Sequence, residues 1–189
     1  MQQTGQKTGR LRKSIVLVGM MGAGKTAVGT ALARQLGVAF LDSDEEIVRA
    51  AQMSVAEIFA RDGEPFFRAR ESEVIERLMS GPPAVVSTGG GAFLFENNRE
   101  TIGRMGVSVW LRADLDLLWN RVKHKTTRPL LRTSDPKATL RDLLAAREPS
   151  YGLAQVVVDA EPALSVEEMA TKVAQALKGV PGLMEEEET

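Results

Sequence analysis

Short runs of β-branched and other apolar residues alternate along this chain with stretches whose apolar positions fall three and four apart. Residues 15–18, 39–41, 84–87, 107–111 and 156–158 are the β-rich runs, and their length and continuous apolar character predict strands buried on both faces. Behind the first of them, Val28, Ala31, Leu32 and Leu36 keep the spacing of a helix with one apolar stripe. Strand and helix in alternation predict βαβ units, and five strands suit one three-layer α/β/α domain with a parallel sheet between two layers of helices. Ligands in open sheets of this kind bind beyond the carboxyl ends of the strands. Chemistry is therefore expected in the loops that leave those ends.

The first run delivers the chain straight into Gly19-Met20-Met21-Gly22-Ala23-Gly24-Lys25-Thr26, which fits the pattern G-x-x-x-x-G-K-[ST]. A strand, a glycine-rich turn and a helix in that order place successive backbone N–H groups and the positive end of the helix dipole around an anion. Gly22, Ala23, Gly24, Lys25, Thr26 and Ala27 are expected to cradle the phosphates of a nucleoside triphosphate, with Lys25 reaching the β- and γ-phosphates. Ala27 stands where many such loops carry a second hydroxyl, and it serves through its backbone. The Thr26 hydroxyl is expected to be a ligand of Mg²⁺, a hard cation that keeps most of its waters.

After the second run come Asp42, Ser43 and Asp44, followed by a helical pattern beginning near Ile47. Two readings fit and are compatible: a helix cap with acids in the first turn, or two carboxylates facing one cleft, since side chains i and i+2 of an extended segment point the same way. Gly89, Gly90 and Gly91 come after the third run. Three glycines in a row let a ligand approach the backbone closely, or else make a simple flexible loop. About forty residues separate the second and third runs, far more than a tight connection needs, and predict an inserted helical subdomain over roughly 43–80.

A basic stretch with Arg121, Lys123, His124, Lys125, Arg128 and Arg132 comes after the fourth run, interrupted by Pro129. It reads as a lid, roughly 122–136, that brings arginine over polyphosphate; the competing reading is a solvated charged loop. His124, the single histidine, is read as solvated, and Trp110 and Trp119 as packing residues.

With 189 residues, 43% of them apolar, the chain is sized for one substantial core rather than two ordinary domains. A net charge of −1 gives no bulk attraction to nucleic acid or to an anionic membrane, and no apolar run approaches the roughly 18 residues of a membrane span. The absence of cysteine removes disulfides, thiolate metal sites and a thiol nucleophile. The apolar run at 15–18 is too short for a secretory signal, and a soluble cytoplasmic monomer is expected. Polar, aperiodic ends predict tails over 1–12 and 181–189 around a domain at 13–180.

Taken together, the motifs resemble those of the shikimate kinases. The matches are Gly19 through Gly29, Asp42-Ser43-Asp44, Ile58 through Glu71 with Glu64, Phe67 and Arg68, Ser87 through Gly91, Arg128-Pro129-Leu130-Leu131 and Arg147-Glu148-Pro149-Ser150-Tyr151, in family order over most of the chain. The resemblance implies a P-loop kinase fold like that of the nucleoside monophosphate kinases, with a substrate-binding subdomain and a lid. It implies transfer of the γ-phosphoryl group of ATP to the 3-hydroxyl of shikimate, with Mg²⁺, on the way to chorismate and the aromatic amino acids. By resemblance, Asp44, Arg68, Gly90 and Arg147 contact shikimate with Gly89 and Gly91 beside them, Arg128 is the lid arginine at the phosphates, Arg121 flanks the adenine, and Asp42 holds a metal-bound water. The chemistry of the residues suits those roles: Arg68 and Arg147 are planar donors for one carboxylate, Glu71 stands three residues after Arg68 to hold it, and Asp44 is an acceptor for hydroxyls. Two alternatives remain at this level, a gluconate- or nucleotide-directed kinase of the same architecture and a non-catalytic binding module.

Overall fold

The computed structural model describes residues 9–125 and 129–185. Five parallel strands, β1 (Ser14–Val18), β2 (Phe40–Asp42), β3 (Val85–Ser87), β4 (Gly106–Arg112) and β5 (Val156–Asp159), form one sheet in the order β2-β3-β1-β4-β5. All five lie within a residue or so of the runs expected from the sequence. The central strand is the most apolar: every residue of β1 is buried, as befits a strand covered on both faces.

Helices fill the crossovers: α1 (Lys25–Leu36) between β1 and β2; α2 (Ser43–Ala51), α3 (Val55–Asp62) and α4 (Glu64–Ser80) between β2 and β3; α5 (Glu96–Met105) before β4; α6 (Leu115–Val122) and α7 (Pro136–Tyr151) before β5; and α8 (Val166–Leu177) last. The chain runs from β1 toward one edge of the sheet and from β3 and β4 toward the other. With right-handed crossovers, these opposite directions put α1 and α5 on opposite faces, and α1 accordingly packs on α8 while α4 packs on α5. Because the chain leaves β1 and its neighbour β4 in opposite directions, a crevice opens at the carboxyl ends in the middle of the sheet. Strand register brings Leu17, Ser87 and Asp42 level with one another, so the loops after β1, β2 and β3 leave the sheet at one height.

Two expectations need correction. The helix after β2 begins at Ser43, not near Ile47, because the Asp42 carboxylate accepts hydrogen bonds from the N–H groups of Asp44 and Glu45 at 2.9 and 3.2 Å and starts it early. Asp44 therefore stands in the first turn of a helix, and the extended-segment reason for pairing it with Asp42 does not apply. The expected tails are also too long. Leu11 and Leu183 are buried, Leu11 bridges Met184, and Arg12 N–H and Glu185 N–H donate to Leu183 and Arg10 carbonyls, each at 2.8 Å. Apolar side chains near the two ends cover each other at the rim of the core. In the basic stretch, Pro129–Leu131 forms one 3-10 turn and Leu131 is buried, whereas Arg128 lies outside the described residues.

Candidate active site

The loop after β1 is shaped by glycine where no other residue would sit without strain. Gly22 and Gly24 have φ of 84° and 97°, left-handed values that a Cβ disfavours. Gly24 caps α1 with no side chain hydrogen-bonded to the helix end, so the first-turn N–H groups and the helix dipole face the crevice as an anion site. Lys25 Nζ donates to the carbonyls of Gly19 and Met20 at 2.6 and 3.0 Å, which holds its charge inside the loop. Arg121, from the last turn of α6, donates from Nη1 to the Gly22 carbonyl at 2.9 Å. A second cation is thus fixed against the same loop. Thr26 follows Lys25 at the exposed start of α1.

Beyond β3 the triplet of glycines meets three polar side chains, one apiece. A methyl group on Gly89 would lie 2.8 Å from Oδ1 of Asp44, one on Gly90 would lie 2.7 Å from Nη1 of Arg147, and one on Gly91 would lie 2.5 Å from Nη2 of Arg68. None of these glycines has a positive φ; what they supply is room. The simple flexible loop considered from sequence is not what forms, because the 3-10 turn Ala92–Leu94 comes at once and is pinned by Asn98, whose side-chain amide donates to the Ala92 carbonyl at 3.0 Å, and by Arg99, which donates to the Phe93 carbonyl at 2.8 Å.

Each of the three side chains is aimed by its own element. Asp44 is carried by the capped first turn of α2. Arg68, on α4, donates to Glu71 Oε1 at 2.9 Å and to Glu64 Oε1 at 3.4 Å, and its guanidinium carbon stands 5.2 and 5.1 Å from the ring centres of Phe67 and Phe95. Two rings and two carboxylates leave it little rotamer freedom. Glu71 is buried, with its Oε2 lacking a hydrogen-bond partner among the described residues. Burial raises its carboxyl above the ordinary carboxylate range, and the hydrogen bond and charge of Arg68 counter that. Arg147, near the end of α7, lies 3.9 Å from the Met20 sulfur, and Tyr151, one turn later, donates from its hydroxyl to the Gly90 carbonyl at 2.6 Å.

The crevice therefore has two halves: an anion cradle with Lys25 and Arg121, and, one strand away, a small polar chamber with one carboxylate and two guanidinium groups around a bare backbone. Such a chamber suits a small hydroxylated acid held beside a polyphosphate. Of the residues expected from sequence, Gly22, Ala23, Gly24, Lys25, Thr26, Ala27, Asp44, Arg68, Gly89, Gly90, Gly91, Arg121 and Arg147 all lie along these two halves. Asp42 stands at the carboxyl end of β2, with Oδ1 engaged in capping. Phe95 and Met20 carried no signal in the sequence, and Tyr151 stood there as part of a motif with no task attached. Trp110 and Trp119 pack in or against the core, as read.

Residues 21–178 match a family model described as shikimate kinase. A shikimate kinase of Cereibacter sphaeroides is 61% identical over 97% of this chain and 92% of its own length, and one of Ruegeria pomeroyi is 64% identical over 88% of this chain and 86% of its own. Among solved structures, a shikimate kinase from Acinetobacter baumannii in complex with shikimate superposes with a TM-score of 0.81 at 40% identity, covering 86% of this chain and 91% of that one.

Proposed function

The chain belongs to the shikimate kinase family, and from that premise we propose which of its residues transfer the γ-phosphoryl group of ATP to the 3-hydroxyl of shikimate. The products are shikimate 3-phosphate and ADP. The observation that carries the assignment is the glycine triplet with Asp44, Arg147 and Arg68 each against one glycine. Shikimate is a ring with one carboxylate and three hydroxyls. Arg68 and Arg147 are the two cations on the triplet and take the carboxylate through charge-assisted hydrogen bonds. Asp44 accepts from ring hydroxyls and aims the reacting oxygen at the γ-phosphorus, in line with the bond that breaks.

Phosphoryl transfer runs through a loose transition state with little proton loss from the nucleophile, so aim outweighs basicity in what Asp44 contributes. The N–H groups from Gly22 to Ala27 hold the phosphates, and Lys25 exchanges its loop carbonyls for β- and γ-phosphate oxygens as ATP enters. Arg121, fixed on Gly22, flanks the adenine. Arg128 is assigned to the phosphates from the resemblance of its motif. The donor set suits Mg²⁺: one hydroxyl from Thr26, and the carboxylate of Asp42, already engaged at one oxygen and so placed to act through a water. When bound, the ion neutralises charge on phosphate oxygens.

The working unit is proposed to be a monomer. No helix among the described residues is long and apolar enough to cross a membrane, and we place the reaction in the cytoplasm. An assay of ADP release with shikimate, gluconate and AMP as acceptors tests the reading. Turnover is expected with shikimate alone; turnover with gluconate or AMP and none with shikimate would overturn it.

A further inference from the structure

Tyr151 ends α7 with its side chain fully buried. Its hydroxyl lies 2.6 Å from the Gly90 carbonyl and 3.8 Å from the Met20 sulfur. A hydroxyl has one proton to give, and the short contact to oxygen takes it; the sulfur is then a polarizable neighbour to the phenol. The same sulfur lies 3.9 Å from Nη1 of Arg147, which precedes Tyr151 by one helical turn on the same face of α7. Met20 belongs in turn to the phosphate loop, where its carbonyl accepts from Lys25 Nζ at 3.0 Å and from the Ala23 N–H at 3.1 Å. Trp110 backs the group, with its ring centre 5.8 Å from that of Tyr151. Burial pushes the phenol above its ordinary titration range against the pull of Arg147, so at neutral pH it stays a donor.

We infer that Tyr151, its phenol anchored on the Gly90 carbonyl, forms with Met20 a positioning pair that holds the Arg147 guanidinium as the receptor for the substrate carboxylate and ties that receptor to the phosphate loop. The inference rests on the reading of Arg147 as a carboxylate clamp. An arginine side chain has many rotamers, and a clamp gains only as far as they are excluded before substrate arrives. Here the exclusion comes from one sulfur and one anchored phenol, both inside the core. The plainer role for Tyr151 is to hold α7 to the sheet, and the two roles differ in what they do to kinetics.

Tyr151→Phe keeps the ring and removes the donor. The KM for shikimate should rise about five- to tenfold, with kcat and the KM for ATP within about twofold. In an Arg147→Ala background, Tyr151→Phe should add almost nothing, since the group it positions is gone. The same fold-loss with and without Arg147, or a lower melting temperature with an unchanged KM, would make Tyr151 a fold residue and overturn the inference. Met20→Leu nearly conserves volume and withdraws the sulfur; in the same cycle it should raise the shikimate KM about two- to threefold, and it decides the question if Tyr151→Phe does not fold. Arg147→Ala with an unchanged shikimate KM would instead sink the clamp reading on which the inference stands.

Discussion

Replacing Gly91 by alanine adds one methyl group at a position whose backbone accepts it, φ −93° and ψ −13°, so no conformational strain arises. The methyl would stand 2.5 Å from Nη2, 2.8 Å from Nη1 and 2.9 Å from Cζ of Arg68. Non-bonded carbon contacts settle near 3.5 Å or beyond, so the guanidinium must retreat by about 1 Å. Its hydrogen bond to Glu71 is 2.9 Å long, and with that bond kept the guanidinium retreats by turning away from the triplet and from the substrate carboxylate. Loss of one hydrogen bond from Arg68 to the substrate carboxylate costs about 1.5–3 kcal/mol, or about 10- to 150-fold in affinity. Folding should suffer less, because the displaced guanidinium keeps Glu71 as its partner, and a stiffer unfolded chain returns about 0.4–1 kcal/mol. The expected result is a shikimate KM raised about 10- to 150-fold, with the KM for ATP near its original value and a melting temperature within a few degrees. Steady-state ADP release against shikimate concentration, with thermal unfolding of the same sample, reads both. A KM within twofold of the parent would refute the reasoning, since it would mean that the guanidinium at Gly91 does not meet the substrate.

Other substitutions separate the two halves of the crevice. Lys25→Ala should lower kcat by about two orders of magnitude or more, because charge is withdrawn where it develops in transfer, while direct titration should find shikimate binding intact; near-normal turnover would remove Lys25 from the chemistry. Arg147→Ala should mainly raise the shikimate KM, by about 10-fold or more, since the carboxylate is remote from the reacting hydroxyl, and a purely kcat defect would contradict its placement. Glu71 should show in the pH dependence of stability. Its folded carboxyl titrates above the unfolded value of about 4.3, so the folded state binds the proton more tightly, and the stability this gives is complete below that pH and is lost as pH rises through the raised folded value. Urea unfolding at a series of pH values should show that decline in the parent and its absence in Glu71→Gln; superimposable profiles would remove Glu71 as its source.

Much of this arrangement is written locally, and what is not local is what the chain conceals. The phosphate loop is legible because one contiguous segment supplies glycines, lysine and helix start together. The central strands are legible because burial on both faces demands uninterrupted apolar runs such as 15–18, whereas β2 and β5, at the edges of the sheet, are only partly buried and do not meet that expectation. Of the two readings of Asp42 the cap is the one that forms; that cap alters the next turn, and the extended geometry expected for Asp44 gives way to helix. Phe95 meets Arg68, and Met20 meets Arg147, across separations of 27 and 127 residues that no periodicity records. The same holds for Leu11 and Leu183, each next to a polar stretch in sequence and both buried in the core. The glycine triplet lies between these cases: its composition announced a close approach, and only the folded chain says which side chain each glycine makes room for.

A crystal structure with ADP, Mg²⁺ and shikimate is the most direct test of the assigned chamber. The shikimate carboxylate should lie about 2.7–2.9 Å from nitrogens of both Arg68 and Arg147, with ring hydroxyls on Asp44 and the ring against the backbone of Gly89, Gly90 and Gly91. A carboxylate held away from both arginines, or a ring that leaves the triplet uncovered, would contradict it.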